Sequence, residues 1–157
     1  MTEIGFRALE TDAVRALQRG GDDAYGNPPQ RLVSDGSGIP CRHCLQPVRD
    51  GDPFLVLAHR PFDAPQPYAE TGPIFLHAEE CERASDTDDL APMFRFGGSY
   101  ILRGYRSDDW IDYATAEVVE AANIVKTARA MLDRAEVAYL HMRSSRFNCY
   151  QARIERA

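Results

Sequence analysis

Long hydrophobic runs are missing from this chain. No window approaches 18 consecutive apolar residues, which excludes a helical membrane span. The first residues, Met1-Thr2-Glu3-Ile4-Gly5, hold no basic region followed by an apolar stretch, so no signal peptide is expected and the cytoplasm is the default location. A surplus of positive charge is also missing. The formal net charge is −6, which argues against nonspecific binding to DNA or RNA. No internal repeat and no low-complexity tract is found. Cysteine is sparse, with four residues, and in a reducing compartment these are not expected to form disulfides.

What is present reads as a globular protein. Apolar residues make up 44% and charged residues 27% of the chain, and 157 residues suffice for one domain, 1–157, with a single core. Acid collects in Glu79-Glu80-Cys81-Glu82 and Asp86-Thr87-Asp88-Asp89, whereas the C-terminal segment leans basic through Arg143, Arg146, Arg153 and Arg156.

The local patterns predict an order of elements. Residues 4–9 alternate as a first strand. Thr11-Asp12 can cap a short helix carrying Val14 and Leu17, stopped by Gly20-Gly21. Arg31-Leu32-Val33 reads as a short strand, and Pro53–His59 as an apolar one after the turn signals Gln46-Pro47 and Asp50-Gly51-Asp52. Residues 61–73 contain four prolines and predict a loop. Ile74-Phe75-Leu76 is a short strand, His77 is expected to open a brief helix to about Ala84, and 85–89 to be a solvated loop. Ser99–Arg106 and Trp110–Val118 read as two strands. Ala121, Ile124, Val125, Ala128, Met131 and Leu132 then recur at helical spacing, predicting one long amphipathic helix over about 119–134. Val137–Arg143 and Asn148–Glu155 read as a closing hairpin. The fold class is therefore α+β: a mainly antiparallel sheet, one long helix in the C-terminal half, and a loop-rich N-terminal half.

The sharpest chemical signal lies in residues 39–84. Cys41-Arg42-His43-Cys44 is a C-x2-C turn, and His77-Ala78-Glu79-Glu80-Cys81 is H-x3-C. Together Cys41, Cys44, His77 and Cys81 make a Cys3His set suited to tetrahedral zinc, since thiolate and imidazole are the donors that ion takes. A full shell leaves no open position for water, so the spacing favours a structural ion over a hydrolytic one. His43 could replace His77 as the fourth ligand. A redox dithiol at Cys41 and Cys44 lacks the helix that such chemistry uses, because Pro47 and Gly51 follow. Three buried thiols beside an incidental histidine are the plain alternative.

The last hairpin carries a second candidate. Parity places Ala138, Leu140 and Met142 with Tyr150, Ala152 and Ile154 on a face toward the long helix. The opposite face then collects Tyr139, His141, Arg143, Cys149, Gln151 and Arg153. Pairing Arg143 with Cys149 and His141 with Gln151 satisfies that parity. Two guanidinium groups beside a histidine and a thiol form an anion face or, with Cys149 as nucleophile and His141 as base, a catalytic dyad. A solvated outer face accounts for the same residues.

Several short stretches taken together resemble a known family. They are Ile39-Pro40-Cys41-Arg42, Pro67-Tyr68, Ile74-Phe75, Leu102-Arg103 with Tyr105, Ala138-Tyr139-Leu140-His141, and Cys149 through Ala157. They are similar to a family of small bacterial proteins catalogued as domain of unknown function 1203. The resemblance implies a stand-alone bacterial cytoplasmic domain and supplies no activity. Members of that family often carry the first cysteine, Cys41 here, but not Cys44 or the His77/Cys81 pair, so the resemblance implies that the metal set is a feature of this branch with a structural role, and that whatever the family shares lies elsewhere, near His141 and Cys149. The leading expectation is a zinc-stabilised binding or interaction domain without catalysis, its partner an unidentified protein. The runner-up is an enzyme or a binder of small anions that uses His141, Arg143, Cys149 and Arg153, with zinc still structural.

Overall fold

A computed structural model describes every residue from Met1 to Ala157. The strands are β1 (Ile4–Arg7), β2 (Gln30–Val33), β3 (Ile39–Pro40), β4 (Pro47–Val48), β5 (Pro53–His59), β6 (Gly72–His77), β7 (Ser99–Tyr105), β8 (Ile111–Glu120), β9 (Tyr139–Ser144) and β10 (Tyr150–Arg156). Two α-helices, α1 (Thr11–Gln18) and α2 (Ile124–Leu132), complete the elements, and α2 is entered through a 3-10 turn at Ala121–Asn123. All ladders between these strands are antiparallel, as the α+β reading expects. No helix is long and apolar enough to cross a membrane. The chain divides into two compact units, one of Met1–Arg7, Gln66–Tyr68 and Ser85–Ala157, the other of Ala8–Pro65 and Ala69–Ala84.

The first unit is a five-stranded sheet in the order β1-β10-β9-β7-β8, with α2 packed on one face. Strand alternation sets that face. Phe6, Ile154 and Leu140 are cross-strand neighbours, as are Ala152, Met142 and Leu102. All six are buried, and so are Ile124, Ala128, Met131 and Leu132 on the matching stripe of the helix. Arg156 closes the C-terminus of α2, its Nη2 donating to Leu132 O at 2.7 Å and Arg134 O at 2.8 Å.

The helix starts later than its periodicity suggests. Val119 and Glu120 belong to β8, where they pair with Tyr100 and Ser99. The β-branched pair Val118-Val119 suits a strand, and ladder bonding wins over helical spacing there. The 85–89 segment is likewise more than a solvated loop: Phe6 N donates to Thr87 O at 2.7 Å, fixing it beside β1.

In β8 the ladder slips. Ala116 pairs with Arg103 and Asp112 with Gly104, so Tyr113, Ala114 and Thr115 stand outside the register. The Thr115 hydroxyl folds inward and donates to Asp112 O at 2.9 Å. It fills the space beside Gly104, where an added Cβ would collide with Thr115 Oγ1 and stand 2.9 Å from Thr115 Cβ. Gly104→Ala is expected to cost about 1–3 kcal/mol as an overpacked site. Thermal melting checks this, and an unchanged midpoint would contradict it.

The second unit joins the three-stranded sheet β2-β5-β6 to the short β3-β4 hairpin and α1. Its core is Val14 from α1, Leu45 and Val48 from the hairpin region, and Leu55, Leu57, Ile74 and Leu76 from the sheet. Helix α1 ends where Gly20 takes φ +91°, with Gly20 N on Leu17 O and Gly21 N on Ala16 O. At its other end Glu10 is the N-cap residue and no side chain caps the helix. Thr11, expected to serve as the cap, directs its hydroxyl elsewhere.

Candidate metal centre

The C-x2-C turn is built by its own backbone. Cys41 N donates to Gln46 O and Leu45 N to Cys41 O, both at 3.1 Å, and Leu45 takes φ +54° to close the knuckle between β3 and β4. Cys41 also forms a parallel bridge with Phe75, and Arg42 N donates to Phe75 O at 3.1 Å. These bonds lay the knuckle alongside β6. The Arg42 side chain is buried there, with Nη1 donating to Pro40 O at 2.6 Å and its guanidinium 5.8 Å above the Phe75 ring.

His77 is the last residue of β6, held opposite Phe54. No helix follows it, which corrects the expectation from the H-x3-C spacing. Ala78 N instead donates to Pro53 O at 3.2 Å. The carbonyls a helix would have used are taken by α1. Gln18 Nε2 donates to His77 O and Glu79 O, each at 2.9 Å, and Arg15 Nη2 to Cys81 O at 2.7 Å. The chain bends back to Cys81 along a path set by these side chains.

The result is a group of four. Cys41, Cys44 and Cys81 Sγ and a ring nitrogen of His77 lie within 4.8 Å of one another, and the group could hold a metal ion. Cys41 Sγ is 3.9 Å from Cys81 Sγ, and Cys44 Sγ 3.4 Å from His77 Nδ1. Metal–sulfur bonds near 2.3 Å and metal–nitrogen bonds near 2.0–2.1 Å give a tetrahedron with edges of roughly 3.5–3.8 Å. Both separations come within a few tenths of an ångström of that. His43 stands behind the group. Its ring is fully buried, with Nδ1 3.1 Å from Cys81 Sγ and Nε2 2.9 Å from Thr11 Oγ1.

Without an ion, the thiols share protons unequally. Hydrogen bonds from the Cys44 and Cys81 thiols hold Cys41 far below the ordinary thiol range, and His77 N adds a further bond to its sulfur at 3.4 Å. As donor to Cys41, Cys44 is pushed up to about 11. Cys81 is raised too, first by its bond to Cys41. The proton is therefore held least firmly at Cys41 and more firmly at Cys44 and Cys81.

The C-terminal face departs from its expected pairing. A bulge lies between Tyr150 and Ala152, so Arg143 faces Tyr150, not Cys149, and His141 faces Arg153, not Gln151. The bulge moves Tyr150 off the helix-facing side and onto the side of His141, whose ring it meets edge-on at 5.1 Å. Tyr105 and Tyr139 stack at 5.3 Å and flank the same imidazole at 4.7 and 5.2 Å. Arg153 lies 3.8 Å over the Tyr139 ring, and its Nε donates to Glu155 at 2.8 Å. Tyr139 OH donates to Asp109 at 2.6 Å; burial, then that carboxylate, pushes its phenol upward. His141, Arg143 and Arg153 thus share a face. Cys149 lies past the last pair of the ladder, its Sγ turned to Phe147 O at 3.7 Å.

Of the residues around the metal group, sequence reading missed Thr11, Arg15 and Gln18. Their spacing, i, i+4 and i+7, marks one face of α1, though nothing in the sequence says what that face meets. The model of a family described as "Protein of unknown function (DUF1203)" matches residues 38–156, a stretch that holds the four grouped residues and the C-terminal hairpin. No curated protein and no solved structure matches.

Proposed function

The chain belongs to the DUF1203 family, and from that premise we propose that it is a zinc-stabilised binding or interaction domain without catalysis of its own. The observation that carries this reading is the convergence of Cys41, Cys44, His77 and Cys81 from two separate segments of the second unit. Four protein donors close a tetrahedral shell and leave no position for substrate or water. Three thiolates and one imidazole suit zinc better than calcium or magnesium, which take oxygen donors. The ion would tie the knuckle to the segment after β6, which has neither helix nor ladder. Thiols kept for a metal also fit a reducing compartment, the cytoplasm.

The binding partner under this reading is a protein. An anion-binding use of His141, Arg143 and Arg153 is less favoured because the Arg153 guanidinium is already engaged by Tyr139 and Glu155. A Cys149–His141 dyad is less favoured because the Cys149 thiol turns to its own hairpin loop.

Metal content tests the proposal. Protein purified without chelator or histidine tag should carry one zinc per chain by mass spectrometry. A Cys44→Ser variant should lose the ion and melt at lower temperature. Zinc lost with the melting temperature unchanged would make the site functional or regulatory instead, and no metal in either protein would end the reading.

A further inference from the structure

The metal group has a second layer: His43, within the stretch that the family model matches, and the helix α1 that holds it, outside that stretch. Once a metal is bound, Cys81 is a thiolate and only accepts hydrogen bonds. His43 Nδ1, 3.1 Å away, must then carry the proton. Nε2 is left as an acceptor, so the Thr11 hydroxyl at 2.9 Å donates to it. The order is Thr11 O–H to Nε2, and Nδ1–H to Cys81 Sγ. Thr11 opens α1, and the same helix holds the segment through Arg15 on Cys81 O and Gln18 on His77 O.

We propose that His43, fixed in its Nδ1–H tautomer by Thr11, is a positioning residue for the metal centre that orients and electrostatically supports the Cys81 thiolate. This deepens the zinc reading above and rests on it. The two sulfurs differ in what holds them. Cys41 is set by its knuckle and receives the amide of His77 at 3.4 Å. Cys81 lies in a bend without regular structure, and the imidazole takes the place an amide has at Cys41. A fully buried histidine with a polar atom at each ring nitrogen is oriented on both sides, as an outer partner of a metal ligand must be.

The test uses the full chain, with zinc and cobalt(II) as probes. Wild-type protein, His43→Leu, His43→Asn and Thr11→Val are titrated against a chromogenic chelator for affinity. The thiolate-to-cobalt charge-transfer band is recorded for each. His43→Leu should bind zinc about 10–100-fold more weakly. Its cobalt band should move to lower energy, because a thiolate that loses a hydrogen bond is a better electron donor. His43→Asn, which keeps an N–H near the Nδ1 position, should recover most of both. Thr11→Val should shift the band in the same direction by less.

Wild-type affinity and spectrum in a folded His43→Leu would overturn the inference while leaving the zinc reading intact. So would equal weakening in His43→Leu and His43→Asn with no spectral shift, which marks packing alone. If His43→Leu does not fold, Thr11→Val decides: an unmoved band overturns the inference. Failure of the wild-type chain to take up either metal would overturn both readings.

Discussion

Under the zinc reading, a Cys41→Ser variant should lose the ion and, with it, the cooperative unfolding transition of the second unit. Cys41 is fully buried, its amide and carbonyl close the knuckle, and its sulfur accepts from His77 N. The rest of that unit offers little to offset the loss. Strands β3 and β4 have two residues each, all four residues of β2 are exposed, and the segment from Ala78 to Ala84 has no regular structure. Structural zinc in small elements contributes on the order of 10 kcal/mol or more. A domain's whole stability is about 5–15 kcal/mol. Serine adds a buried hydroxyl that costs about 1–3 kcal/mol if unpaired. Hydrogen exchange at the amides pairing β5 with β6, such as Leu55 and Leu76, is the direct measurement. Wild-type protection there would mean that the sheet stands without the ion.

How legible the site was depends on the range of the interaction. The C-x2-C turn and the Pro53–His59 strand were readable because each is decided within a few residues, by turn chemistry or by a run of apolar side chains. The four grouped residues were readable for the same reason, since spacing alone nominates them. The helix expected after His77 failed because its carbonyls are claimed by Gln18 and Arg15, about sixty residues earlier in the chain. The hairpin register failed for a local reason that parity cannot express. One bulge residue, Gln151, exchanges the faces of everything before it, bringing Tyr150 beside His141 and leaving Cys149 outside. The early start given to α2 has a third cause, because Val118-Val119 satisfies helical spacing and strand propensity alike. His43 shows the limit most plainly. Sequence could rank it as a rival ligand, but only the meeting of α1 with the knuckle gives it Thr11 on one side and Cys81 on the other.

Zinc affinity should fall about 100-fold for each unit the pH is lowered between roughly 8.5 and 7.5, a window above the ordinary imidazole range. The sign follows from the protons already on the group. Zinc binds three thiolates. In the metal-free protein Cys41 is expected to be the thiolate, because hydrogen bonds from the other two thiols hold it far below the ordinary range. Cys44, raised to about 11, and Cys81, raised as well, both keep their protons throughout this window. Binding must therefore expel about two protons, and each contributes a tenfold change per pH unit. Lower pH supplies protons that compete with the ion, so affinity drops as pH falls. Calorimetric titrations in buffers of different ionisation enthalpy count the protons directly, and a chelator competition series gives the slope. A count near three, with a thousandfold change per unit, would mean that Cys41 is a thiol in the metal-free state. A count near zero would mean that the three thiols are already ionised, and the unequal sharing among Cys41, Cys44 and Cys81 would be wrong.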